Sequence, residues 1–307
     1  MVIPFLKLVR WPNLLIIGLI FILIKTQLIE GFYATTLLES CLTNWHWLLM
    51  ASATVLIAAS GNVVNDIFDQ DIDGHNRPDK TILGVSISEE QAWNIYYALS
   101  GTGLALGVFL AYLLGHTSNG LVFLLALGGL WFYSYSYKRQ FLIGNLVVAF
   151  LAGLTVYLPL LFEMMCNPMG WKMLPWMPFL VALSFFAALS TLIREIIKDM
   201  EDLQGDQRMF CSTVPIVIGI SATKMLVAVL TLVLMAAVAR YQWVKWEEND
   251  MLSFFYILAS VQVPAGLMLR EVMVSINSKG YGKASKLAKV LMIGGISSML
   301  LFRWVLV

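Results

Sequence analysis

The chain has 307 residues, of which 59% are apolar and only 13% charged, about half the ~25% charged share of a soluble domain. Disorder, collagen and coiled coil are excluded by these values, and a formal net charge of +1 gives no electrostatic reason to expect nucleic acid. Several uncharged apolar runs reach the ~18 residues with which a helix crosses a bilayer, so a polytopic membrane protein is predicted.

In chain order, the apolar runs predict about nine spans, at roughly 12–30, 45–64, 91–114, 119–137, 141–163, 176–197, 214–240, 252–275 and 286–306. The runs are continuously apolar rather than alternating, which favours helices over a closed barrel, the two ways to satisfy every backbone group inside lipid. The first run follows Lys7 and Arg10 like a signal peptide. It continues to about Ile29 without a small-residue cleavage site, and is read as a retained span. The fold class predicted is all-α: one transmembrane domain over 1–307, with no separate soluble domain.

Orientation follows from the basic residues. Fifteen of the twenty Lys and Arg fall on the side of the N-terminus when spans alternate, among them Lys7, Arg10, Arg77, Lys80, Lys138, Arg194, Lys198 and Lys289. The positive-inside bias makes that side cytoplasmic, and an odd span count puts the C-terminus outside. Tryptophans and tyrosines near span ends, including Trp11, Trp45, Trp47, Trp131, Tyr133, Trp176, Trp243, Trp246 and Trp304, read as interface anchors. Cys41, Cys166 and Cys211 have no CxxC or metal-finger spacing and read as lone thiols.

Acidic residues are concentrated in two windows on the cytoplasmic side. Of nineteen, five lie in Asp66–Asp79 and five in Glu195–Asp206. Each window spaces carboxylates at i, i+3, i+7 (Asp66, Asp69, Asp73; Asp199, Asp202, Asp206), which on a continuing helix places them on one face. The offset between corresponding residues is 133 throughout, a hint of internal duplication. Three like charges on one face repel and call for a counterion. Hard divalent cations prefer oxygen ligands, and Mg²⁺ leaves positions for substrate phosphates. Arg77 and Lys80 beside the first window, and Arg194, Lys198 and Arg208 around the second, suit a metal-bridged diphosphate better than a metal store. A solvated, charged loop is the plain alternative for either window alone.

These residues resemble the UbiA superfamily of intramembrane prenyltransferases. The first window matches that family's NDxxDxxxD pattern as Asn65-Asp66-x-x-Asp69-x-x-x-Asp73, followed by Asn76-Arg77-Pro78-Asp79-Lys80. The second matches its DxxxD pattern as Asp202-x-x-x-Asp206, extended by Asp199. Arg10-Trp-Pro-Asn13, Tyr133 with Lys138, Gly144-Asn145 and Arg194-Glu-Ile-Ile-Lys198 also match. Lys80 stands where many members carry Arg, which keeps the charge and loses the bidentate fork.

The resemblance implies a bundle of about nine helices around a central cavity, with acidic motifs at 62–80 and 194–213 facing each other under a cytoplasmic cap. It implies transfer of an isoprenyl group from a prenyl diphosphate to a lipophilic acceptor with Mg²⁺, two ions in number. Asn65, Asp69, Asp202 and Asp206 would be the most direct metal ligands and Asp73 a further one. Asp66 and Asp199 would support them or the second ion, and all six aspartates count as catalytic. Arg10, Asn13, Arg77, Lys80, Lys138, Arg194 and Lys198 would bind the diphosphate or the acceptor. Tyr133 could steady an allylic cation through its ring face or serve as an interfacial anchor; Asn13 could orient a substrate or cap a helix; Lys138 could bind phosphate or follow topology alone. The stretch from Asn76 to Ser88 looks most like members that act as geranylgeranylglycerol-phosphate geranylgeranyltransferases, so geranylgeranyl diphosphate and a glycerol-phosphate lipid are the expected partners. An aromatic acceptor such as 4-hydroxybenzoate or a naphthoate is the rival. An ion-coupled transporter is the alternative of another class; CDP-alcohol phosphotransferases are set aside because their DGxxAR lead-in is absent.

Overall fold

The computed structural model describes residues 2–33, 39–76, 82–166 and 176–302, with backbone only at 71–76, 165–166 and 302. No strand occurs among the described residues. Eight helices there are long and apolar enough to cross a membrane. The predicted span at 119–137 is the exception: helix α6 (Leu121–Tyr135) has 15 residues between two 3-10 turns, Thr117–Gly120 and Tyr137–Arg139. At 1.5 Å per residue the α-helix itself reaches about 22 Å, and the turns at its two ends lengthen the segment to Thr117–Arg139. The last span also begins earlier than hydropathy suggested, at Ser278 rather than 286.

The chain groups into two compact units of interleaved segments: Met1–Lys25, Glu39–Lys138 and Leu158–Leu174 form one, and Thr26–Leu38, Arg139–Tyr157 and Pro175–Val307 the other.

In the first unit, α1 (Val2–Leu8) and α2 (Trp11–Leu23) are separated by Arg10, whose φ of 53° is left-handed. After Lys25 the chain passes into the second unit through a π-turn, Ile24–Ile29, that leads to α3 (Glu30–Tyr33). Helix α4 (Asn44–Asn76) has 33 residues, about 50 Å in length, so it outruns the hydrocarbon and carries its acidic end clear of it. It packs against α5 (Glu89–Leu113), which starts in a capping box between Ser88 and Gln91. Gly103 of α5 brings the two backbones close: a Cβ there would stand 3.2 Å from the Ala53 carbonyl oxygen. An aromatic cluster of Phe68, Trp93, Tyr96, Trp131 and Tyr135 fixes the acidic end of α4 against α5 and α6. Of the expected interface anchors, Trp47 is a core residue, 5% exposed, with its ring edge-on to Phe21.

Cys41 corrects the lone-thiol reading: it is disulfide-bonded, whereas Cys211 is outside any disulfide. The segment carrying Cys41 lies against the end of α7 (Ile143–Cys166), where the buried Glu163 carboxylate accepts from Ser40 Oγ at 2.9 Å.

The second unit is built on α8 (Met177–Glu201), the six-residue α9 (Leu203–Arg208), α10 (Val214–Glu247), α11 (Met251–Ile257), α12 (Val263–Val274), α13 (Ser278–Ser297) and α14 (Met299–Phe302). Trp176, another expected anchor, is wholly buried at the start of α8. Gly219, at φ 81° and ψ 158°, interrupts α10 in a conformation open to glycine. α11 passes into α12 through a π-turn, Leu258–Gln262, closed by the Val263 N–H on the Leu258 carbonyl. The cause is Pro264, which has no N–H for the Ser260 carbonyl four residues back. Gly294 of α13 lies against that freed oxygen, so close that a Cβ would stand 2.3 Å from it. Gly294→Ala must therefore push α13 off the π-turn. It should destabilise the protein by about 1–3 kcal/mol, as overpacking does, read as a lower thermal midpoint in detergent. Gly101→Ala, with nothing within 4 Å of its Cβ position, should not.

Candidate active site

The first acidic window keeps its predicted form, because α4 runs unbroken to Asn76 and places Asp66, Asp69 and Asp73 on one face. Each described carboxylate there is matched to a cation. Asp66 accepts from Arg10 Nη2 at 2.8 Å. Asp69 Oδ1 lies 2.5 Å from Lys138 Nζ, which also donates to Asn65 Oδ1 at 3.2 Å. Asn65 Nδ2 in turn donates to Asp69 Oδ2 at 3.2 Å. Two motif oxygens, four residues apart, thus converge on one cationic nitrogen.

Local structure explains how these groups meet. The left-handed Arg10 costs about 1–2 kcal/mol relative to a helical residue, and it turns the chain where the guanidinium reaches Asp66. Asn62 secures the same junction by donating to the Val9 carbonyl at 2.9 Å. Lys138 reaches Asp69 because α6 ends early and the Tyr137–Arg139 turn follows it. Asn13 is exposed one turn into α2, and its backbone N–H closes a turn on the Arg10 carbonyl; its side chain joins none of these contacts. Tyr133 is half-buried in α6. Arg77, Lys80 and the Asp73 side chain lie outside the described residues.

The second window departs from the predicted continuous helix. α8 ends at Glu201, and Asp202, at φ −94° and ψ 5°, is the hinge residue between α8 and α9. Asp199 therefore belongs to α8 and Asp206 to α9, so the i, i+3, i+7 rule does not put the three on one helix face. Their approach is kept by backbone bonds across the hinge: the Asp202 carbonyl accepts from Gly205 N at 2.9 Å and Asp206 N at 3.1 Å. Asp199 accepts from the buried Asn145 Nδ2 at 2.9 Å. Glu195, also buried, accepts from Arg194 Nη1 at 2.5 Å and Lys198 Nζ at 3.3 Å. Sequence reasoning gave no role to Asn145 or Glu195. The available signal was a polar side chain within an apolar run, directly after Gly144 in the first case and between two bases in the second.

The donor chemistry suits a hard divalent cation: Asn65, Asp66 and Asp69 in one unit and Asp199, Asp202 and Asp206 in the other all offer oxygen. Convergence of Asn65 Oδ1 and Asp69 Oδ1 on a single nitrogen shows that this pair can address one cation. Among the described residues, no three acidic, histidine or cysteine side chains close a complete set of ligands.

Comparison with known proteins fixes the family. The family model for the UbiA prenyltransferase family matches residues 31–289. The chain belongs to the UbiA prenyltransferase family. Among curated relatives, a digeranylgeranylglyceryl phosphate synthase of Methanosphaera stadtmanae is 33% identical over 214 residues, 69% of this chain and 73% of that protein. Another, of Methanothermobacter thermautotrophicus, is 28% identical over 252 residues, 80% of each. Among solved structures, a digeranylgeranylglyceryl phosphate synthase in membranes aligns with TM-score 0.62 and 22% identity over 98% of both chains. A UbiA homolog from Archaeoglobus fulgidus bound to DMAPP and Mg²⁺ aligns with TM-score 0.54 and 16% identity, over 96% of this chain and 99% of that one. These structures share the UbiA fold with this chain. It is an integral membrane prenyltransferase, which decides between the enzyme and ion-coupled transporter readings.

Lys138 is 12% exposed and Asp69 20%, so removing one partner strands a partly desolvated charge. Lys138→Met should cost about 1.5–3 kcal/mol, the range for a charged hydrogen bond. The check is thermal denaturation in chelator, where the variant should melt below wild type; equal midpoints would contradict the pairing.

Proposed function

We propose that this UbiA prenyltransferase transfers a geranylgeranyl group from geranylgeranyl diphosphate to the free glycerol hydroxyl of a geranylgeranylglyceryl phosphate, on the cytoplasmic side of the membrane. The allylic C–O bond of the donor breaks, an ether C–O bond to the acceptor oxygen forms, and pyrophosphate and the hydroxyl proton are released. The observation that carries the reading is the pair of cation-matched acidic windows, in a chain whose curated relatives at 28–34% identity bear the name digeranylgeranylglyceryl phosphate synthase. The family match crosses both compact units, which supports one catalytic domain.

Asn65, Asp69, Asp73, Asp202 and Asp206 would hold Mg²⁺, as two ions, with Asp66 and Asp199 in support. When bound, Mg²⁺ neutralises charge growing on the leaving diphosphate. The chain's own residues do the rest. Lys138, beside Asn65 and Asp69, adds a positive charge where the departing oxygens need it, with Arg77 and Lys80 as further phosphate partners. Arg10 holds Asp66, and Asn145 holds Asp199, so that neither carboxylate swings away. Arg194 and Lys198 serve substrate phosphates in the second unit. Asn13, exposed at the start of α2, is placed to orient an acceptor arriving from the membrane interface. Tyr133 lends its ring face to the allylic cation, and the surrounding apolar helices keep water from it.

Two independent features support the orientation. Basic residues favour a cytoplasmic N-terminus. The disulfide at Cys41 belongs to an oxidising compartment, which puts the turn before α4 on the opposite side. A membrane-impermeant maleimide should accordingly label Cys211 in inverted vesicles and not in right-side-out ones; the reverse pattern would overturn the orientation.

The function is tested by crossing prenyl diphosphates with glyceryl phosphate and aromatic acceptors and reading products by mass spectrometry. Prenylated glyceryl phosphate is expected. Product from 4-hydroxybenzoate or a naphthoate alone would move the assignment to quinone synthesis. Asp69→Ala and Asp202→Ala should each lower turnover more than about a hundredfold, the scale on which charge-stabilising groups act, with the thermal midpoint in chelator showing that each variant is folded. Full activity in either would remove the metal assignment.

A further inference from the structure

The proposed reaction joins two lipids that both carry phosphate, and one group of cations cannot neutralise two such headgroups. The first unit has Lys138 beside its motif oxygens. The second has a separate group on α8 and α13: Arg194 and Lys198 share the Glu195 carboxylate, and Lys289 of α13 lies within electrostatic range of both. Glu201, the other acid that acts on Lys289, lies against α13, where a Cβ at Gly282 would stand 2.9 Å from its Oε1. Asp199, a further acid beside Lys198 and Glu195, is held by Asn145. Glu195 answers both Arg194 and Lys198 directly.

Two further observations point to an anionic lipid. Arg194 Nε is buried and has no hydrogen-bond partner. A buried donor left unpaired is costly, and a guanidinium pairs side-on with an oxyanion through Nε and a terminal nitrogen. Immediately after Lys289, α13 turns outward-facing apolar side chains to its surroundings: Val290 is 52% exposed and Ile293 51%. A headgroup held at Lys289 would lay its hydrocarbon chain along these residues.

Resting on the acceptor assignment above, we propose that Arg194, Lys198 and Lys289 form an anion subsite that takes the phosphate monoester of the lipid acceptor. Lys289 thereby becomes a specificity residue, selecting phosphate-bearing acceptors over neutral ones. The guanidinium supplies the fixed, bidentate contact, and the two accessible lysines supply charge that follows the mobile headgroup.

The test uses Lys289→Gln, an exposed position where substitution spares the core. With full-length enzyme in detergent, KM for the glyceryl phosphate acceptor should rise about tenfold, the loss expected for one charged contact. KM for geranylgeranyl diphosphate should move less than about twofold, and Lys289→Arg should restore the acceptor KM. A rise in the donor KM instead would assign the cations to the diphosphate and overturn the acceptor subsite, as would no change in either. Should wild type not prenylate glyceryl phosphates at all, the acceptor assignment fails on its own. The anion site is then read without turnover, as the rise in thermal midpoint with inorganic phosphate in chelator. A rise in wild type that is lost in Lys289→Gln supports the site; equal rises, or none in wild type, overturn it.

Discussion

Carboxylates at the edge of hydrocarbon must be solvated or paired, and this constraint organises the molecule. An unpaired charge is expensive wherever water is scarce, so the carboxylates of the two windows lie at helix ends and take partners within their own unit. Arg10 answers Asp66, Lys138 answers Asp69, and Arg194 and Lys198 answer Glu195. Asp199, deeper along α8, is matched by a neutral amide from Asn145. Three of these pairings join separate segments: the break after α1 to α4, the turn after α6 to α4, and the start of α7 to α8, while the pairs on Glu195 lie within α8 itself.

The same pairings suit the cation-dependent reaction proposed for the chain. Lys138 lies against two oxygens of the kind a divalent cation would need, so the first motif is matched in charge. The two motifs achieve this differently. The first is a straight ladder on a helix that outruns the bilayer, and the second is folded over Asp202 into a short second helix. Internal duplication, if it gave rise to both, has not kept their local geometry alike.

Small residues and proline shape the framework that carries these ends. Lipid supplies no hydrophobic force between helices, so close approach and dispersion take its place. Gly103 lets α5 close on α4, and Gly294 lets α13 close on the oxygen that Pro264 frees. Trp47 and Trp176 belong to this packing rather than to the interface, since a large ring at a span end can turn inwards as readily as towards the headgroups.

Much of this was legible in the chain itself. Long apolar runs require helices because lipid leaves no other way to satisfy backbone groups. The spacing of Asp66, Asp69 and Asp73 required a shared face once the helix continued, and the family resemblance singled out Asn65 and Asp69, which the structure brings together. What the chain could not show was where helices stop and which distant groups meet. The break at Asp202, the short α6, the disulfide at Cys41 and the inward turn of Trp176 depend on contacts between remote segments, not on local pattern. Lys289 is the clearest case: in the sequence it is one base among four near the start of a span, and only the packing of α13 on α8 brings it to Arg194 and Lys198. Local periodicity determines which face a residue shares with its neighbours, whereas long-range pairing of charges is decided by the fold.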